Sequence, residues 1–233
     1  MANFADTDFE DFKLFLLKKK MTSDEWLTGN LDKLRLFHTI TLSFVIWDHC
    51  LRRKAPNQKY FMKETRSDCI NSVFAVFTGC RKAANVLLRG MIENTLRHIY
   101  YFDHPIEFQM LMLDEEHMPF RELLQYSRKH PALSKAIREA ACLEDLEQTY
   151  KTSSKFVHAQ SLKFMQLSRA LEEVEFDQKF FDWYVKKLGN IASNLNLLLV
   201  LAHSEEFRGM SPDFKRTIMK TMRKKNKKLL SKT

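Results

Sequence analysis

The polar residues between Leu88 and His104 are spaced to share one helix face. Arg89, Glu93 and Arg97 recur every four residues, and Tyr100, Tyr101 and His104 continue the row at three- and four-residue steps. Such a face suits a phosphodiester. Guanidiniums would hold the charge developing on phosphorus, and an imidazole would move a proton near neutral pH. The same row also fits a plain surface ladder of ion pairs. However, Val86, Leu87, Met91, Ile92, Leu96 and Ile99 predict burial of much of this helix, where charges need partners or a ligand.

A second group, Tyr150, Ser154 and His158, shares a face near the end of a later helix, where His158 also suits a simple C-terminal cap. Facing Arg89, Glu93 and Arg97 across a bundle, His158 would complete the same phosphodiester chemistry as an alternative to His104. Asp114-Glu-Glu-His117 has half of a two-helix carboxylate–histidine metal site, but no second Glu-x-x-His segment follows. Neither a metal nor a cofactor is expected. There is no P-loop, dinucleotide fingerprint or nucleophile elbow. Cys50, Cys69, Cys80 and Cys142 form no CxxC pair and read as reduced thiols in apolar helices.

The helix carrying Leu88-Arg89-Gly-Met-Ile-Glu93 and Tyr100-Tyr101, followed by Ser154-Lys-Phe-Val-His158, resembles the HEPN-like helical-bundle proteins of bacteria. The resemblance covers residues from about 65 to about 200. Many members are metal-independent ribonucleases of toxin and antiviral systems, with an arginine followed after four to six residues by histidine. Arg97 and His104 fit that spacing, whereas Lys155 stands ahead of Phe156-Val157-His158. The resemblance implies an RNA target, a homodimer with the site at its interface and a partner protein of the same system. It equally admits an inactive binding module.

Positive charge collects at the other end of the chain. Residues 211–233 carry nine Lys and Arg against Asp213, a local charge of +8 within a net +9. Lys215, Arg216, Lys220, Arg223, Lys224, Lys225, Lys227 and Lys228 are the candidate RNA contacts, because each neutralised phosphate releases counterions. Phe214, Ile218 and Met222 recur every four residues among them, which predicts a docked helix fraying into a basic end.

Helices must position these groups. Phe9, Phe12, Phe15, Leu16 and Leu17 give an amphipathic opening helix that ends near Lys18, and Thr22 with Glu25 forms a capping box for a new start at Trp26. Residues 31–51 hold Leu34, Phe37, Thr41, Phe44, Val45 and Leu51 on one face. Residues 52–59, with Pro56, read as a basic loop. The pattern over 65–103 is one long helix or two meeting near Gly79, and Pro105, Pro119 and Pro131 punctuate short helices after it. Further helices are expected over 143–158 and 177–203, the latter with a seam of Phe180, Tyr184, Leu188, Ile191, Leu195, Leu198 and Ala202.

With 45% apolar residues the chain can fill a core, and five Gly and five Pro in 233 residues argue against turn-rich β architectures. The expectation is therefore all-α: an up-and-down HEPN-like bundle over 31–210, an extra N-terminal helix within 1–30, and a basic C-terminal helix within 211–233. The start of the chain is acidic and no long uncharged apolar run follows, so a cytoplasmic protein without membrane attachment is expected. The function expected is that of an RNA-targeting effector, with metal-independent endoribonuclease activity. The alternative is a non-catalytic module that binds nucleic acid or a partner protein.

Overall fold

Gly79 divides the long apolar pattern into two helices. Its φ is +74°, and a Cβ there would lie 2.0 Å from the Glu175 carbonyl oxygen, so the chain can turn here only with glycine. The computed structural model describes residues 4–51, 59–115, 117–133, 142–170 and 173–231. The basic loop expected at 52–59 lies outside the described residues except for its last position, where the next helix begins.

The helices are α1 (Phe4–Lys18), α2 (Asp24–Gly29), α3 (Leu31–Leu51), α4 (Lys59–Phe77), α5 (Arg81–Asp103), α6 (Pro105–Met112), α7 (Phe120–Lys129), α8 (Cys142–Val157), α9 (Gln178–Ala202), α10 (Ser204–Gly209), α11 (Pro212–Thr221) and α12 (Lys224–Leu230). A 3-10 turn at Leu162–Phe164 interrupts the link from α8 to α9. Among the described residues there is no strand.

Two local expectations change. Thr22 and Glu25 do not cap α2. Ser23 is the cap, its hydroxyl accepting from the Trp26 N–H at 3.2 Å, because Ser23 is the last extended residue before the helix. The basic end does not fray either: Arg223 is the N-cap of a separate helix, α12, and buried Asn226 fastens that helix to α9.

α9 forms the spine. Its seam residues Phe180, Tyr184, Leu188, Ile191, Leu195 and Leu198 are buried and Ala202, at the end of the seam, is half-buried; each buried Phe, Leu or Ile contributes about 1.5–3 kcal/mol of transfer free energy. The α4–α5 hairpin packs against it, α3 and α8 flank it, and α11 lies along α3. One buried amide links three of these helices. Asn196 accepts from Trp47 Nε1 at 2.7 Å and donates to Ser43 Oγ at 3.1 Å and Thr221 Oγ1 at 2.9 Å, which joins α9 to α3 and to the end of α11.

α5 is amphipathic in the way that matters for the site. Leu88, Met91, Ile92, Leu96 and Ile99 are buried, and Arg89, Glu93 and Arg97 emerge half-buried along its opposite edge. No described helix is long and apolar enough to cross a membrane.

Candidate functional site

Arg89, Glu93 and Arg97 converge as their four-residue spacing requires. Arg97 Nη2 lies 2.7 Å from Glu93 Oε1, and Arg89 Nη2 lies 3.9 Å from Glu93 Oε2. α8 runs antiparallel to α5 at this point: the Tyr150 hydroxyl donates to Glu93 Oε2 at 3.2 Å, and Ser153 donates to Asn85 Oδ1 at 3.4 Å. The Arg89 guanidinium sits over the Tyr150 ring, 4.7 Å from its centroid, and its Nε is buried without a hydrogen-bond partner. Phe120 of α7 stacks on the other side of Tyr150, nearly parallel. Burial, and after it the Glu93 charge, hold the Tyr150 hydroxyl protonated above the ordinary tyrosine range.

This stack forms one wall of a pocket of about 460 Å³ between α7 and α8. Arg121, Gln125, Arg128 and Lys151 line it, with Glu147 paired to Arg128 at 2.8 Å and to Lys151 at 2.6 Å. Arg89, Arg97, Arg121, Arg128 and Lys151 therefore outnumber Glu93 and Glu147 by three charges around two stacked rings. Chemically, the patch can hold anionic oxygens and offers an aromatic surface beside them.

The expected histidines lie elsewhere. His104 is seven residues beyond Arg97, about 10 Å along the axis. Its ring stacks on Tyr100 at 4.2 Å, and its Nδ1–H donates to the Tyr100 carbonyl at 2.8 Å. Nearby, the Tyr126 hydroxyl and His130 both bond Asp103, a separate knot at the α5–α7 corner. His158 is exposed just beyond the end of α8. The antiparallel course carries it past Asn85 toward Arg81, about 12 Å beyond Tyr150 and away from Arg97. His98, beside Arg97 in sequence, faces inward, with its Nε2 3.0 Å from His203 Nε2.

The imidazole that does meet Arg97 is His117, its Nδ1 3.4 Å from Arg97 Nη2. Asp114 adopts a left-handed backbone, φ 62°, as the chain turns back from α6 to deliver His117 here. Nothing in sequence spacing ties residue 117 to residue 97. The cations of α7 did leave a signal: Arg121, Gln125 and Arg128 recur at helical steps of four and three.

The tail cations are engaged to different degrees. Lys215 Nζ donates to the Arg208 carbonyl at 2.6 Å, and Arg216 pairs with Asp213 at 3.1 Å. Arg223 donates to Asn194 Oδ1 at 2.7 Å and to Asp145 Oδ2 at 3.1 Å, and Lys225 approaches the same carboxylate at 3.8 Å. Burial works against the Asp145 charge, yet the Arg223 and Asn194 hydrogen bonds hold its carboxyl below the usual range. Lys220, Lys224 and Lys228 face solvent, and Lys227 borders a groove beside Leu201.

Among the described residues, no three His, Cys, Asp or Glu side chains converge as metal ligands. Burial pushes the thiols of Cys69 and Cys142 up to about 12 and about 11, values of inert core cysteines. The chain matches no known family model, no curated protein and no solved structure.

Proposed function

We propose that this protein targets RNA and that the α5–α7–α8 patch grips the phosphodiester backbone, with the solvent-facing tail cations adding non-specific affinity. The observation that carries the reading is the pocket itself, where Arg121, Arg128 and Lys151 open onto the Phe120–Tyr150 stack beside Arg89 and Arg97. The HEPN-like resemblance supports the same substrate and suggests an effector of a toxin or antiviral system, acting as a homodimer or with a partner protein.

Metal-independent cleavage at the same place is a second reading, favoured by the 3.4 Å contact of His117 with Arg97. There the arginine would stabilise phosphate charge and the imidazole would transfer the proton. Incubating the purified protein with total RNA in EDTA separates the two. RNA retained intact supports binding alone. Cleavage lost in His117→Ala, but kept in His104→Ala and His158→Ala, supports catalysis at Arg97. RNA neither retained nor cut would overturn both.

A further inference from the structure

Sharing no residue with the cationic patch, α1, α3 and α4 enclose an apolar slot of about 530 Å³ that the RNA reading does not use. α3 forms its floor with His38, Thr41, Leu42 and Val45. α1 contributes Phe12 and Phe15 as one wall, and α4 contributes Ile70, Val73 and Phe74 as the other. Phe15, Ile70 and Phe74 remain 47%, 46% and 63% exposed, so large apolar side chains line an opening rather than a closed core.

The charged side chains that line the slot are of one sign, and Arg35, the cation nearest to His38, lies outside the lining and pairs with Asp6 at 2.8 Å. Asp8 and Asp11 sit at its mouth, and no Lys or Arg is among its described lining residues. Asp8 Oδ2 is 2.7 Å from His38 Nε2. Burial lowers the His38 pKa, so near neutral pH a neutral imidazole donates to Asp8. The floor from His38 to Val45 spans seven residue steps of helix, about 10 Å. That is too short for a long partner helix and right for a drug-sized molecule, whose pockets run from about 300 to 1,000 Å³.

We infer that this slot binds a small hydrophobic organic cation, with the apolar body between Phe12, Phe15 and Phe74 and the ammonium group against Asp8 and Asp11. Aromatic faces and carboxylates both favour a weakly hydrated cation over a neutral or anionic molecule of the same shape.

The test uses three probes of one shape on the full chain, followed by titration calorimetry: 2-naphthylmethylamine, 2-naphthylmethanol and 2-naphthoate. The amine should bind saturably with one site, the alcohol more weakly, and the carboxylate not at all. Asp11→Asn should weaken the amine about two- to fivefold, as expected for a partly exposed ion pair, and leave the alcohol unchanged. Phe74→Arg, at an exposed position, should abolish amine binding. Neither substitution touches the α5–α7–α8 patch, so unchanged RNA retention and thermal unfolding report an intact fold. Equal binding of amine and carboxylate, absence of any amine binding, or indifference to both substitutions would overturn the inference.

Discussion

The attachment of the basic end of the chain can be tested at one residue. Asn226 is 0% exposed, and its side-chain amide donates to the Ser193 carbonyl at 3.0 Å, Ser193 Oγ at 2.9 Å and Asn194 Oδ1 at 3.2 Å. Asn226→Ala deletes both N–H groups that serve these acceptors. At about 0.5–1.5 kcal/mol net for each N–H, undocking of α12 becomes easier by about 1–3 kcal/mol. That raises the open population about 5- to 150-fold. Hydrogen exchange of the α12 amides, read by mass spectrometry where exchange follows the opening equilibrium, should accelerate by this factor, and the α9 core amides should be unaffected. Lys228→Ala, on the exposed face of the same helix, should change nothing. If α12 exchange in Asn226→Ala stays within about twofold of the parent, the polar anchor does not hold the helix and the docking argument fails.

Three further outcomes follow from the buried groups and the hinge. Burial, and after it Glu64, raise the Asp68 carboxyl from 3.8 to about 7. Through that window the folded chain keeps a proton that the unfolded chain releases, so this group makes stability fall as pH rises from about 4 to about 7. Asp68→Asn should flatten that slope in urea titrations and stabilise the protein at pH 8. His38 has the opposite sign. Because burial lowers its pKa from 6.5, the unfolded chain takes up the proton first and stability drops as pH falls below that value. Thermal melts of His38→Asn should therefore lose less between pH 7.5 and pH 5 than those of the parent. Gly79→Ala places a Cβ 2.0 Å from the Glu175 carbonyl at a φ of +74° and should cost about 2–4 kcal/mol in chemical denaturation; a cost below about 1 kcal/mol would show that the turn does not need glycine.

What sequence could reveal depended on whether a feature was local. α3 and α9 were legible because most of their apolar residues repeat at helical steps and face the core, whereas the long pattern over 65–103 left one helix or two meeting near Gly79 open, and the close approach of Glu175 that requires a turn there is not local in sequence. The Arg89–Glu93–Arg97 ladder is an i, i+4 effect and formed as its spacing requires. Which imidazole meets Arg97 was not legible, because it depends on how α8 and the α6–α7 turn pack against α5. Antiparallel packing sends His158 away, a stacking contact turns His104 onto Tyr100, and His117 arrives from a segment with no periodic relation to Arg97. The tail was expected to fray, because nothing within the cationic run marks Asn226 as an anchor; only its meeting with Ser193 and Asn194 makes it one. The Phe120–Tyr150 stack likewise joins residues 30 apart in sequence on different helices.

The RNA reading rests most directly on the salt dependence of single-stranded RNA binding, measured for the parent, for Arg97→Gln with Arg121→Gln, and for Lys224→Gln with Lys228→Gln. The account predicts affinity that falls with salt in the parent. It also predicts a slope smaller by about 0.7 for each patch cation removed, with a larger loss of affinity from the patch pair than from the tail pair. RNA affinity unchanged by the patch pair, or no binding by the parent at about 50 mM salt, would contradict it.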